Sequence, residues 1–291
     1  MRIERLALLG IGLMGGSLAR ALRRAGAVGE IVGCARNPAN LAKAVDLGVI
    51  DRDTTDPAAA VAGADLVLVA VTLGATEQIL ARAAPALRAD AIVTDVGSTK
   101  GSVVAAARRV LGAGIARFVP GHPIAGSERT GVEASFADLY VDHRVILTPL
   151  PETDRQAVET VRRMWERCGA VVTEMAVEHH DEVLAATSHL PHLVAYALVD
   201  CLVGMHDSSE IFDYAAGGFR DTTRIAASSA EMWRDIALAN APAVLAMCDR
   251  FETAFGAVRT AIAAGDGEAL RKIFARAKAA RERLTPRGSS T

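Results

Sequence analysis

Through its first half the chain alternates short, wholly apolar runs with amphipathic stretches; its second half turns to long helical patterns. RLALL (5–9), EIVGCARN (30–37), ADLVLVAVT (64–72) and AIVTDVGS (91–98) read as strands, with RFVPGHPIAG as a fifth and HRVILTP as a sixth. Between them SLARALRRAG, NPANLAKAVDLG and residues 75–87 carry helical spacing, the second opening on an Asn/Pro cap signal. Strands apolar throughout, alternating with helices, predict a parallel sheet covered on both faces. The alternation stops at TPLPETD (148–154), a cluster that predicts a domain junction. AVVTEM (170–175) is strand-like, and from Glu178 onward the pattern is helical. DEVLAATSHLPHLVAYALVDCLVG is apolar on most faces and predicts a buried helix, followed by helices near 229–240, 242–264 and 267–284. The expected fold is α/β: a Rossmann-type parallel-sheet domain over residues 1–150 and an all-helical domain over 151–291.

Composition narrows the function classes. The 291 residues are 51% hydrophobic, enough to bury a core; only residues 286–291 read as a polar tail. A net charge of -2 with no basic or acidic block argues against nucleic acid or a membrane surface as partner. Four well-separated cysteines fit a reducing cytoplasm and suggest neither zinc nor disulfides. The longest apolar run, Leu66 to Leu73, is too short for a membrane span, and no signal peptide is visible.

Gly10-Ile11-Gly12-Leu13-Met14-Gly15 is GxGxxG between a buried strand and a helix. Gly10 permits the tight turn, Gly12 lets the backbone approach a pyrophosphate, and Gly15 lets the helix pack against the strand. The phosphate then faces the helix N-terminus at Leu13 and Met14. The second strand ends Gly33-Cys34-Ala35-Arg36, with Ala35 where an NAD site usually carries an acid. The residues lean toward NADP, since Arg36 can pair with a 2′-phosphate; if Arg36 is solvated or stacks on adenine, either cofactor remains usable.

All seven histidines follow residue 120. His122, beside the C-terminal edge of a strand, has the right chemistry for a general base, or else caps a turn. His189 and His192 share a helix face, but no third residue has metal-ligand spacing, so no metal site is expected. Gly217 to Arg224 reads as a glycine-rich turn that either cradles a carboxylate through its arginines or leaves them solvated.

Taken in order, GIGLMGGS, VTDVGSTKG, GHPIAGSERTGVEAS, SHLPHLVAYALVD and GGFRDTTRIA resemble the prephenate/arogenate dehydrogenase family of tyrosine biosynthesis. The resemblance implies oxidative decarboxylation of prephenate or arogenate, a small-molecule substrate, with hydride transfer to NAD or NADP. It implies His122 as proton acceptor, Ser98 as a contact to the substrate hydroxyl and nicotinamide, and His192 as an orienting group. It implies Arg224 on a substrate carboxylate, Glu128 at the mouth of the site, Ser127 and Asp221 in the substrate-binding set, and a homodimer joined through the helical domain. No chorismate mutase segment or regulatory domain is expected. Ala35-Arg36 departs from relatives with Asp on this strand, and Thr72 stands where many have proline. A β-hydroxyacid dehydrogenase would need a catalytic lysine, and none lies between Lys100 and Lys272. A non-catalytic dinucleotide sensor would be expected to have lost His122 or Arg224, and both are present.

Overall fold

The computed structural model describes residues 2–127, 129–206 and 208–283. Glu128 and the expected polar tail lie outside the described residues. The chain divides into two compact units, residues 1–241 and 242–291.

In the larger unit the glycine loop joins β1 (Ile3–Leu9) to α1 (Leu13–Arg24). β2 (Val28–Cys34), α2 (Pro38–Asp46), β3 (Arg52–Thr54), α3 (Pro57–Val61), β4 (Leu66–Val69), α4 (Thr76–Ala83), β5 (Ile92–Asp95), α5 (Gly101–Leu111) and β6 (Phe118–Val119) follow. The six strands form one parallel sheet in the order β3-β2-β1-β4-β5-β6. Successive side chains on a strand face opposite sides, so wholly apolar strands need two cores. Leu6, Leu8, Ile31 and Leu68 enter one, together with Leu18 and Leu22 of α1. Ala7, Leu9, Val32 and Val69 enter the other, with Val61, Leu80 and Val104 from α3, α4 and α5. Caps start the helices where the polar residues fall: the Asn37 side chain accepts from Ala39 N at 2.9 Å, with Pro38 in the first turn.

The structure corrects the expected strands in three places. Arg52–Thr54, too polar to read as a strand, is the sheet edge β3. RFVPGHPIAG is two strands in two sheets, β6 and β7 (Gly121–Pro123), divided at Pro120, which has no N–H to continue the ladder. Gly121 N then donates to the Asp95 side chain at 3.0 Å, not to a strand neighbour. HRVILTP gives β8 (Arg144–Leu147), the centre of a separate sheet, antiparallel to β7 and parallel to β9 (Val171–Glu174). Between β8 and β9, α6 (Arg155–Arg167) starts at Asp154, whose carboxylate accepts from Gln156 N and Ala157 N. It sends Val158, Val161, Met164 and Trp165 into the same core as Leu6 and Leu8.

The long helix expected over 181–204 is not continuous. α7 (Val177–Leu184) and α8 (Leu190–Val203) are joined by a widened π turn over Ala185–His189. Pro191 has no N–H, and its ring would collide with the Thr187 carbonyl in a regular helix; widening the turn relieves both problems. Nor is this helix buried in the single chain: within α8 only Ala195 is, and Leu198 and Val203 are exposed. α9 (Ser208–Asp213) follows, and then the segment expected as a glycine-rich turn, which is instead helical. Gly217 and Gly218 open α10 (Gly217–Thr223), and Arg224 begins a 3₁₀ turn leading to α11 (Ala230–Ala239).

α12 (Ala241–Ala263) starts at the last residue of the larger unit and runs into the smaller one, which ends in α13 (Gly267–Glu282), capped by Asp266. Phe251, Phe255 and Ile262, spaced four and seven apart, form an exposed apolar stripe along α12. No helix among the described residues is long and apolar enough to cross a membrane.

Candidate active site

In a doubly wound sheet, ligands bind outside the strand C-termini where the strand order reverses, here between β1 and β4. The glycine loop occupies that point. Gly10 has φ +105°, and a side chain there would sit 2.4 Å from Ala70 O, just beyond β4. A side chain at Gly15 would meet Gly10 O at 2.5 Å, so α1 packs closely only as glycine. Gly12 is different, because the space around its missing side chain is open. Gly12 is also the α1 N-cap, provides no side-chain hydrogen bond, and is followed by no acid in the first turn. The first N–H groups of α1 therefore have no side-chain cap among the described residues, and their chemistry suits a pyrophosphate. Arg36 lies two residues beyond β2, exposed and without an ion pair among the described residues.

Past β5 and β6 the same edge carries a buried polar network. Lys100, wholly buried at the start of α5, donates from Nζ to Asp95 at 2.5 Å and to Gly121 O at 2.6 Å. Asp95 in turn holds Gly121 N. Both backbone polar groups of Gly121 are thus fixed, and with them the approach to His122. The His122 ring is buried, with Nδ1 2.9 Å from His180 Nε2. His180 Nδ1 lies 2.8 Å from Asp181 Oδ1. The Asp181 carboxylate also accepts from Lys100 N and Gly101 N, both at 2.8 Å. Burial first, then the Lys100 charge and the neighbouring His180 and His189, hold His122 well below the usual histidine range, so it is neutral near pH 7.

A cavity of about 230 Å³ is lined by Gly126, Ser127, His192, Arg224, Ile225, Ser228, Met232 and Trp233. Trp233 organises it: His192 stacks on the indole at 3.6 Å, and His189 meets it edge-on at 6.1 Å. His192 Nδ1 contacts Ser188 O at 2.8 Å, which leaves Nε2 for a ligand. His189 is buried; burial pushes it down to about 4, and Asn240 bridges its Nδ1 to Asp181 O. A larger cavity of about 630 Å³, between α5 and the start of α7, contains none of the residues singled out from the sequence.

Tertiary structure thus brings Ser127, His192 and Arg224 together in one pocket. Ser98 is partly exposed in the loop after β5, two residues before Lys100. Asp221 is exposed on α10 and does not line the pocket. Sequence reading missed His180, Asp181, Trp233, Asn240 and the role of Lys100. The run His179-His180-Asp181 at the head of a helix was the one available signal.

A buried, neutral imidazole at the same sheet edge as a GxGxxG turn and an uncapped helix N-terminus fits a nicotinamide-linked dehydrogenase, and the chain falls in that class. Residues 18–174 match the family model described as the prephenate dehydrogenase nucleotide-binding domain, and residues 176–276 the one described as its dimerization domain. The chain belongs to the prephenate dehydrogenase family. It is 42% identical to a cyclohexadienyl dehydrogenase of Zymomonas mobilis, over 96% of this chain and 95% of that one. A crystal structure of prephenate dehydrogenase from Aquifex aeolicus with hydroxyphenyl propionate and NAD+ superposes with a TM-score of 0.92 at 40% identity, covering 98% of this chain and 99% of that one. The crystal structure of Synechocystis arogenate dehydrogenase gives 0.82 at 27% identity, over 97% of this chain and 100% of that one.

Proposed function

We propose that this chain oxidatively decarboxylates prephenate, arogenate or both, in tyrosine biosynthesis, and that the residues named above carry the reaction. The observation that carries this reading is the buried, neutral His122, one ring nitrogen engaged by His180 and the other without a protein partner among the described residues. His122 Nε2 takes the proton of the ring hydroxyl, and Ser98 contacts that hydroxyl from the β5 loop. Bound nicotinamide supplies the hydride acceptor for the carbon bearing the hydroxyl. Loss of carbon dioxide from the opposite ring carbon leaves an aromatic ring. Gly10, Gly12, Leu13, Met14 and Gly15 hold the pyrophosphate. Arg224 pairs with a substrate carboxylate, a fixed charge that does not titrate. His192 and Ser127 orient the rest of the substrate's side chain, and Glu128 and Asp221 complete the substrate-binding set. The division of labour between a cofactor part and a helical substrate part belongs to the same reading, as does a cytoplasmic location, which the free cysteines suit.

The exposed Arg36, with no competing acid at Ala35, favours NADP over NAD. Arg36→Ala is then expected to raise KM for NADP several-fold and leave that for NAD nearly unchanged; equal effects on both would count against it. A homodimer is supported by the exposed stripe on α12 and by the match of residues 176–276 to a dimerization domain.

The direct test is reduced-nicotinamide formation with prephenate and arogenate, each crossed with NAD and NADP. Turnover in any combination supports the reading, and the pattern identifies substrate and cofactor. Folded protein that binds cofactor but turns over neither substrate would sink it. Arg224→Ala is expected to raise KM for substrate by tenfold or more, with a smaller change in kcat, since a charged hydrogen bond contributes about 1.5–3 kcal/mol. An unchanged KM would mean that the guanidinium serves another purpose.

A further inference from the structure

We propose that His180 and Asp181 are positioning residues for the base: through His180, the Asp181 carboxylate holds His122 in the tautomer that bears hydrogen on Nδ1 and leaves Nε2 bare. The inference rests on His122 being the proton acceptor, as read above.

The chain of donors and acceptors has one consistent solution. The Asp181 side chain already accepts from Lys100 N and Gly101 N, two backbone donors at the head of α5, so it is present as a carboxylate and can only accept. Its bonds to His180 and to those two N–H groups hold it below the usual aspartate range against the opposing effect of burial. His180 Nδ1, 2.8 Å from Asp181 Oδ1, must therefore carry a hydrogen. A neutral imidazole with hydrogen on Nδ1 has a lone pair on Nε2. That Nε2 lies 2.9 Å from His122 Nδ1, so His122 must donate, and its own Nε2 is left as the acceptor. His180 is neutral as this requires, because burial lowers it more than the Asp181 bond raises it.

The other charged and titratable groups around His122 do not offer a second route. Lys100 and Asp95 engage each other and Gly121, on the backbone side of the base. His189 is bonded to Asn240. Among the described residues only His180 bonds the His122 ring. Without it, neutral His122 would divide between two tautomers, one with hydrogen on the atom that has to receive the substrate's proton. A carboxylate fixing a catalytic imidazole's tautomer is an established device in hydrolases, where it acts directly; here a second imidazole stands between. A purely structural His180 would need only its volume and some satisfaction of its polar atoms, which predicts a loss of stability and no selective loss of turnover.

The test compares His180→Leu, which removes the acceptor, with His180→Gln, whose side-chain carbonyl can accept from His122 Nδ1. Steady-state kcat and cofactor affinity are measured on both, with ¹⁵N-histidine NMR on the wild-type protein, where His122→Asn identifies the His122 signals. The expected results are a His122 ring protonated on Nδ1, a kcat at least 100-fold lower in His180→Leu with cofactor affinity retained, and recovery to within about tenfold of wild type in His180→Gln. A wild-type His122 protonated on Nε2 overturns the proposal, even if His180→Leu fails to fold. So does His180→Leu turning over within threefold of wild type. If His122→Asn is itself fully active, the functional reading fails instead, which distinguishes the two failures.

Discussion

His122→Asn is expected to lower kcat by a factor of hundreds or more and to leave cofactor binding nearly intact. Asparagine is a demanding substitution because it keeps much of the geometry. Its amide nitrogen falls near the position of Nδ1 and can still donate to His180 Nε2, so the buried contact at 2.9 Å survives. Only the outer nitrogen, the proposed proton acceptor, is lost. The glycine cradle at the head of α1 is built from other residues, which is why cofactor affinity should not move. Because burial and Lys100 keep the wild-type ring neutral well below pH 6.5, the variant should be slow throughout the neutral range, not merely shifted along the pH axis. Steady-state kinetics with a fluorescence titration of the reduced cofactor would decide it. Near-normal turnover would remove His122 from the reaction.

The second large effect is on stability. Lys100→Met is expected to destabilise the fold by about 3–5 kcal/mol, the range for breaking one side of a buried ion pair. Lys100 is wholly buried and Asp95 nearly so. Methionine fills the stem volume but leaves the Asp95 carboxylate without its countercharge and the Gly121 carbonyl without its donor. Asp95 would keep its bonds from Gly97 N and Gly121 N, so the site should weaken without vanishing. Adding Asp95→Asn should recover part of the loss, since a neutral amide tolerates burial better than an unpaired carboxylate. Denaturant unfolding measures both variants. A change below about 1 kcal/mol for the single variant would show that the pair contributes little net stability.

The legible part of the site was the part written locally. GxGxxG between an apolar strand and a helix announces its cradle because the turn, the close approach and the helix packing each require glycine at a definite offset. His122, His192 and Arg224 could be singled out because they sit in short, ordered motifs. His180 and Asp181 could not, since nothing in VEHHDE says which way either side chain points. Only packing α7 against the head of α5 brings Asp181 to Lys100 N and His180 to His122, a partner 58 residues away. Trp233 was hidden for the same reason, 41 positions beyond the histidine on which it stacks.

The secondary structure divides along the same line. Period and composition by themselves determined the alternation of buried strands and helices, the two-sided sheet and the helical second half, because those follow from each residue's immediate neighbours. Only the tertiary structure decided that the chain leaves the main sheet at Pro120, that Arg52–Thr54 joins its edge, and that the helix over 181–204 widens ahead of Pro191. A strand's sheet is set by which backbone groups find partners across the chain. A histidine's chemistry is set by which acceptor meets its other nitrogen. Neither is a property of the residues on either side.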